Sequence, residues 1–406
     1  MGGVRAASLL KQALDRHEEL RSRSLSLIPS ENVMSPEARR LLSADLAHRY
    51  TSLKPRPLHG QPVEDYYMGT RWSREVIRVC EDAARSLFKC GYADVSLISG
   101  HIADLAMVAG VCKHGDKIAV VEPLSGGYPG FQREKIPSLL GVDVVYLPTK
   151  SYTPVAEEAA SIVRREKPKL VVLGGSIILF PHPVRELAEA CSEVGAVLAY
   201  DGSHVLGLIA GGEFQLPLDE GAHLLAGSTH KTLPGPQGGI LLASSRELGE
   251  QVSEHIPHKL VDNPHLHRIA ALAYTLAEML EYSKSYARQV VSNARALARA
   301  LDESGVPVLF RELGYTCSHQ VKLEVTEDYL EKAKRLEQAH LIIDLGGRLG
   351  TQELTRRGMK EKEMEKVAEL FSRVWRGEPP EKVRREVMEL SAEFSKVYYS
   401  LEEGLP

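Results

Sequence analysis

Lys231 stands in the stretch STHKTLPGPQGG (228–239), behind the apolar run HLLAG and ahead of a loop rich in Gly and Pro. A surface lysine needs no such setting; a lysine that must form and break a covalent bond does. Asp201 closes another apolar run, AVLAYD (196–201), thirty residues earlier. A carboxylate at the carboxyl end of a buried strand needs a partner or a function. His204 follows three residues on, and His230 directly precedes the lysine. An acid and a lysine on neighbouring strand ends form the layout that holds pyridoxal phosphate. The lysine supplies a Schiff base, the acid keeps the pyridine nitrogen protonated, and the ring becomes an electron sink for a carbanion.

Such residues must be carried by a scaffold, and its elements are readable. Apolar strands are expected at 117–123, 142–148, 169–176, 196–204 and 238–244, with helical patterns such as 153–167 and 184–195 between them. Continuous Val/Ile/Leu strands alternating with helices predict an α/β fold. Its central sheet is mostly parallel and covered by helices on both faces. Sites in such sheets form at the carboxyl ends of the strands. Residues 1–24 read as an amphipathic helix, and Ser35 with Pro36 marks another helix start. A long helical pattern over 265–305 leads to short strands near 306–310, 319–324 and 340–343 and helices at 360–376 and 380–402. The expected organisation is an N-terminal arm (1–35), a large α/β domain (36–262), and a bridging helix with a smaller α+β C-terminal domain (263–406).

With 406 residues, 43% hydrophobic and 26% charged, the chain has the composition of an ordinary globular protein. A net charge of −4 favours neither nucleic acid nor an anionic membrane as partner. No apolar run is long enough for a membrane span. The five cysteines are scattered and odd in number, without a Cys-x-x-Cys, which fits a reducing compartment; a cytoplasmic location is expected. Only three asparagines occur against abundant Glu, Lys and Arg, a bias that suits a heat-adapted protein. His258, His265 and His267 lie close in sequence, but helix-cap or dimer-contact roles are expected of them rather than a metal site.

Five segments, SLIPSENVMSP, YYMGT, DGSHVLGLIAGG, STHKTLPGPQGG and GGRLGTQELTRRGM, together resemble the serine hydroxymethyltransferase family, most closely its archaeal form. The resemblance runs from about residue 25 to 375. It implies a fold type I pyridoxal-phosphate transferase and a homodimer with shared active sites acting on a small amino-acid substrate. By the same resemblance Lys231 is the Schiff-base lysine and Asp201 the partner of the pyridine nitrogen. His204 bonds the cofactor's phenolic oxygen or the substrate carboxylate, and His230 helps position cofactor and substrate. Arg348 grips the α-carboxylate. Ser99 and Gly100 form the phosphate-binding turn, and Ser228 joins the cofactor-binding set. Ser30 and Glu31 line the substrate pocket. Tyr50 and Tyr67 are donated across the dimer interface, to the phosphate and near the substrate hydroxyl. Asp262 and Asn263 match a stretch that reaches the neighbouring subunit's phosphate.

The chain also departs from the family pattern. Ser52 occupies the place of the acid–base glutamate, in a longer Pro-rich loop where Glu64 or Asp65 could stand in for it. Tyr128 replaces the ring-stacking histidine; it can stack, but it is no near-neutral acid or base. His101, next to the phosphate turn, replaces a small hydroxyl residue and either bonds the phosphate or is an ordinary helix residue. Ile177 stands where a serine faces the ring, and the folate loop before Arg348 is missing. The implied reaction is at the Cα–Cβ bond of a 3-hydroxy amino acid: serine/glycine interconversion with a reduced pterin as cosubstrate. Alternatives are a pterin-independent aldolase or transaldolase, and a cofactor-binding relative without turnover.

Overall fold

The computed structural model describes residues 1–406, which form two compact units. One holds Ser30–Arg288 with Tyr399–Gly404; the other holds Met1–Pro29, Gln289–Tyr398 and Leu405–Pro406. These bounds differ from the expected 1–35, 36–262 and 263–406. The division falls inside the long helix Leu266–Glu303 rather than before it. The N-terminal arm is not a separate piece either. Its strand Leu25–Ser26 pairs in parallel with Leu341–Ile342, and Leu25 and Leu27 enter the core formed by Leu297, Leu336, Phe371 and Val383.

The larger unit is built on a seven-stranded sheet: β1 (Tyr92–Asp94), β2 (Lys117–Val121), β3 (Asp143–Leu147), β4 (Leu170–Gly174), β5 (Val197–Asp201), β6 (Leu224–Ser228) and β7 (Gly239–Ala243). Its order is β1-β7-β6-β5-β4-β2-β3. Only β7 runs antiparallel to its neighbours. Every residue of β4, β6 and β7 is buried. Successive side chains point to opposite faces, so both faces of the sheet are covered, as the unbroken apolar runs require. The helix Gly100–Val111 packs on β5, β6 and β7. The expected strands of this sheet lie within a few residues of the observed ones; β1 is too short and too polar to carry a strand pattern.

The parallel direction decides where chemistry can occur. Loops leaving β1, β2, β4, β5 and β6 all emerge at one edge. They carry Ser99 and Gly100, Tyr128, Ile177, Asp201 with His204, and Lys231 respectively. The end of β4 approaches the end of β5 so closely that only glycine fits. Gly174 has φ +87°, and a Cβ there would overlap the carbonyl oxygen of Asp201. Within the segment 52–66 a hairpin pairs Arg56–Leu58 with Gln61–Val63. Its two-residue turn has positive φ at both His59 and Gly60, as a type I′ turn demands. Ser35 caps the helix Pro36–Leu41 through Ala38 N–H, as expected.

The smaller unit is α+β. Gln320–Lys322 pairs antiparallel with Arg348–Gly350, beside helices Tyr329–Gln338, Glu361–Trp375 and Pro380–Glu393. The strand expected at 306–310 is reduced to a single bridge between Val308 and Leu323, and the last helix stops at Glu393 rather than near 402. The helix Gly3–Ser22 buries none of its residues.

Behind the β4 edge, His182 is fully enclosed. Its Nδ1 accepts from Gly174 N–H at 3.1 Å, and the backbone N–H of His182 donates to Gln215 Oε1 at 2.8 Å. Burial pushes the imidazole down to about 4, against about 6.5 in an unfolded chain. The neutral form is therefore the folded form. Its contribution is complete above pH 6.5 and is lost as pH falls towards 4, on the order of 3 kcal/mol in all. Urea unfolding at pH 7, 5.5 and 4.5 should show this loss, and His182→Gln should flatten the profile over that range.

Candidate functional site

Asp201 and Lys231 leave adjacent parallel strands, with Asp201 in register with Ala226 of β6. The two loops that follow are stitched together. Ser228 N–H donates to Ser203 Oγ at 3.1 Å, and Thr232 Oγ1 donates to the His204 carbonyl at 2.7 Å. Thr232 Oγ1 also accepts from Gly207 N–H at 3.0 Å. Asp201 is buried and takes Ser203 N–H on Oδ1 at 3.0 Å. Burial pushes its carboxyl up; Lys231 and the Ser203 hydrogen bonds pull the other way, and burial prevails. His230 is held neutral: burial, then the charge of Lys231, push it down to about 4. Its Nδ1 is buried with no partner in the protein.

Ser99 and Gly100 open the helix Gly100–Val111, with Ser99 as N-cap accepting from Ile102 N–H at 3.2 Å. Gly100 lies against Ser228 and Ser203, so close that a Cβ would overlap Ser228 Oγ. The phosphate turn and the lysine loop are thus one packed structure. His101 and Tyr128, expected to serve separately, are partners: His101 Nδ1 and Tyr128 Oη are 2.9 Å apart, with the rings edge to face. Tyr128 also packs edge to face on Phe131 at 5.9 Å. Burial, then Asp104 and Asp201, push its phenol up to about 12, so it stays protonated at neutral pH.

The segment that lacks the family's glutamate is organised by Asp65. Its carboxylate accepts from Thr51 Oγ1, from Ser52 N–H at 3.0 Å and from Tyr67 N–H at 3.0 Å. Burial pushes Asp65 up, but these hydrogen bonds outweigh it and hold the carboxyl below its usual range. A carboxylate so fully engaged is a loop clamp rather than a base poised for neutral pH. Glu64 is exposed, with Arg74 at 3.8 Å. The rings of Tyr50 and Tyr67 meet at a tilt of 53°, with centroids 5.3 Å apart, and both are about half exposed. Ser30 and Glu31 are half-buried at the start of this unit. Next to them is a residue the sequence reading passed over: Asn32 Nδ2 donates to the Lys231 carbonyl at 2.6 Å and to Tyr286 Oη at 2.9 Å. The available signal was its place in PSEN, in a chain with only three asparagines. His258 Nδ1 meets Asp262 Oδ1 at 2.8 Å, and His265 stacks on His267.

Arg348 belongs to the smaller unit. Its guanidinium is braced by Asp344, with Nε donating to Oδ2 at 2.9 Å and Nη2 at 2.8 Å from the same oxygen. Asp344 Oδ1 also accepts from the Gly346 and Arg348 backbone N–H groups. A carboxylate that fixes the arginine leaves a planar fork already oriented. Lys322 Nζ, buried nearby, donates to the Leu323 carbonyl at 2.8 Å.

These residues fit pyridoxal phosphate. Lys231 is half-buried, Asp201 is a buried carboxylate beside it, and the N-terminus of a twelve-residue helix offers backbone N–H groups to an anion. Two buried polar atoms, His230 Nδ1 and Asp104 Oδ1, have no partner within the protein. The second of them, like Asn32, was not singled out from the sequence. Its signal is an acid inside the otherwise apolar helix GHIADLAMVAGV.

Comparisons with known proteins give the family and the fold. Residues 5–371 match the family model for serine hydroxymethyltransferase. The chain is 41% identical to the serine hydroxymethyltransferase of Methanocaldococcus jannaschii, over 97% of this chain and 95% of that one. It is also 41% identical to that of Methanopyrus kandleri, over 100% and 97%. Among solved structures it is similar to an L-threonine transaldolase from Pseudomonas fluorescens, with a TM-score of 0.89 and 28% identity over 98% of this chain and 94% of that one. With residues 5–371 matched by the family model and nearly its whole length covered by archaeal relatives, the chain belongs to the serine hydroxymethyltransferase family and is a pyridoxal-phosphate-dependent enzyme of that type.

Proposed function

We propose that the enzyme interconverts serine and glycine at the Cα–Cβ bond, with a reduced pterin as one-carbon carrier. The observation that carries this reading is the stitched pair of loops holding Asp201 and Lys231, in a chain about 40% identical to archaeal serine hydroxymethyltransferases. Bound pyridoxal phosphate would supply the electron sink for charge developing at Cα. Lys231 is its attachment point, and Asp201 holds a proton on the pyridine nitrogen. Ser99, Gly100 and Ser228 would hold the phosphate side, and Tyr128, whose hydroxyl is hydrogen-bonded to His101, would stack on the ring. Neutral His230 accepts or donates a hydrogen bond beside Lys231 without adding charge. Arg348, held by Asp344, is the group for the amino acid's carboxylate; His204, Ser30 and Glu31 are the substrate-binding residues of the larger unit.

A homodimer fits the exposed apolar groups of the larger unit. Tyr50, Tyr67, Met68 and Trp72 are 47%, 45%, 95% and 69% exposed, more than a monomer leaves uncovered in one stretch without a reason. Tyr50 and Tyr67 would then serve the partner's site. No helix is long and apolar enough to cross a membrane, and a cytoplasmic location follows the cysteine usage.

A second reading is favoured by one observation. Position 52 carries no carboxylate, and Asp65 beside it is spent on three hydrogen bonds. An enzyme without that acid–base group suits a pterin-free aldolase or transaldolase of larger 3-hydroxy amino acids.

Glycine formation by the cofactor-loaded enzyme separates the two. Release from L-serine only with a reduced pterin supports the first; release from L-allo-threonine alone supports the second. Silence on both, with the cofactor bound, would overturn both. Ser52→Glu should raise pterin-dependent serine cleavage roughly tenfold or more, since a placed base contributes about 10²–10⁴-fold. No rise would move the deficit to Tyr128 and the pterin side. Lys231→Ala should abolish the visible band of lysine-bound cofactor, and a retained band would overturn the assignment of Lys231.

A further inference from the structure

Asp104 is the least expected group in the larger unit. It lies one turn inside the helix Gly100–Val111, among Ala103, Ala106, Met107 and Val108, all buried. It is itself only 2% exposed, and its Oδ1 has no hydrogen-bond partner. The helix packs on β5, β6 and β7. Its first residue touches Ser203 and Ser228, in the loop after Asp201 and just before Lys231. β6 and β7 present no charge to it, and the helix also packs on Arg246–Ser253. β5, which it contacts, ends at Asp201, and the loop after β6 leads to Lys231. A second buried carboxyl therefore sits on the helix that packs against the strands carrying Asp201 and leading to Lys231.

An ionised carboxylate with an unpartnered oxygen in such a place is costly to desolvate, and no hydrogen bond offsets that cost. The same carboxyl in its acid form costs far less and gains a donor. Like charges that share a site do not both ionise: one gives up its charge to the other. Asp201 accepts a backbone N–H and stands at the strand end next to the lysine, so it is the member better equipped to keep the charge. Burial first, then Asp201, push Asp104 well above the usual carboxylate range, with Lys231 opposing.

We propose that Asp104 is a positioning residue that remains a neutral carboxylic acid at pH 7, its proton directed at Asp201, so that Asp201 alone meets the pyridine nitrogen as a carboxylate. This rests on the pyridoxal-phosphate reading and deepens it. Asp201⁻, Lys231⁺ and neutral Asp104 leave the pocket without net charge. The acid proton fixes one oxygen of Asp201 and leaves the other for the ring.

The test compares the cofactor-loaded wild type with Asp104→Asn and Asp104→Leu. Asparagine keeps a donor and is neutral at every pH. If Asp104 is already neutral, the pH midpoint of the visible lysine–cofactor band should stay within about 0.3 units in Asp104→Asn. An infrared difference spectrum, wild type minus this variant at pH 7, should also contain the carbonyl stretch of a protonated carboxylic acid. Asp104→Leu, which has no donor, should release cofactor on the order of tenfold faster or more. A midpoint that falls by about one unit or more in Asp104→Asn would mean that a negative charge had been removed, and would overturn the proposal. So would the absence of the infrared band, or cofactor release from Asp104→Leu at the wild-type rate. Should the leucine variant fail to fold, the infrared and midpoint measurements on Asp104→Asn still decide. Failure of the wild type to show any visible band would instead count against the cofactor assignment.

Discussion

The site depends on the joining of two strand ends. β5 and β6 are neighbours in register, and the loops that leave them are tied by Ser228 to Ser203 and by Thr232 to the His204 carbonyl. Each hydrogen bond is worth only about 1 kcal/mol net. Their effect is geometric: Asp201 and Lys231 cannot move apart without breaking the pair. Gly174 brings β4 against the Asp201 carbonyl, Gly100 brings the phosphate helix against Ser228, and Asn32 fixes the Lys231 backbone from the other side. The lysine is thus carried on a backbone held by several separate segments of the chain. A group that must exchange one covalent partner for another needs such support.

Charge accounting constrains the same pocket. A buried carboxyl, a second one behind it, a neutral imidazole and one lysine can coexist only if some of them are uncharged. Burial selects the neutral form for His230 and Tyr128. The resulting pocket presents donors and acceptors in number but little net charge, which suits a planar polar guest carrying its own phosphate. In the smaller unit the logic is reversed. Arg348 is paired with Asp344 at a position where the ion pair orients the fork.

Lys231 and Asp201 were legible in the sequence because each follows an unbroken apolar run, and such runs become parallel strands with their carboxyl ends aligned. The sheet was legible for the same reason. What stayed hidden depends on contacts between distant segments. Asp65 reaches back thirteen and fourteen residues to Ser52 and Thr51 only because the His59–Gly60 turn folds the intervening chain into a hairpin. The His101–Tyr128 pair joins a helix start to a loop twenty-seven residues away. Neither has a local pattern. The place of the N-terminal arm is hidden for a related reason: a two-residue strand, Leu25–Ser26, ties it to Leu341–Ile342. Asp104 differs, since an acid in an apolar helix is a local signal; it was visible and was not weighed.

The departures from the family pattern are not spread evenly, and their distribution bears on what has changed. The groups that would hold the cofactor are all present: the lysine, the strand-end aspartate, the capped helix and the two histidines. The substitutions fall at Ser52, Tyr128, His101 and Ile177, and three of these can be followed in the structure. Ser52 is bound to a carboxylate it cannot use as its own, and Tyr128, unable to titrate near neutrality, is joined by an imidazole at 2.9 Å. A phenol hydrogen-bonded to a histidine differs from a histidine alone: it stacks as well, but any proton it passes must go through the second residue. On the proposed reading, loss of a carboxylate at one position and separation of stacking from proton transfer at another would both act on the group leaving Cα and leave the electron sink as it is. On that reading the departures gather at the β-carbon end of the substrate, where a change of hydroxy amino acid or of one-carbon carrier would be read.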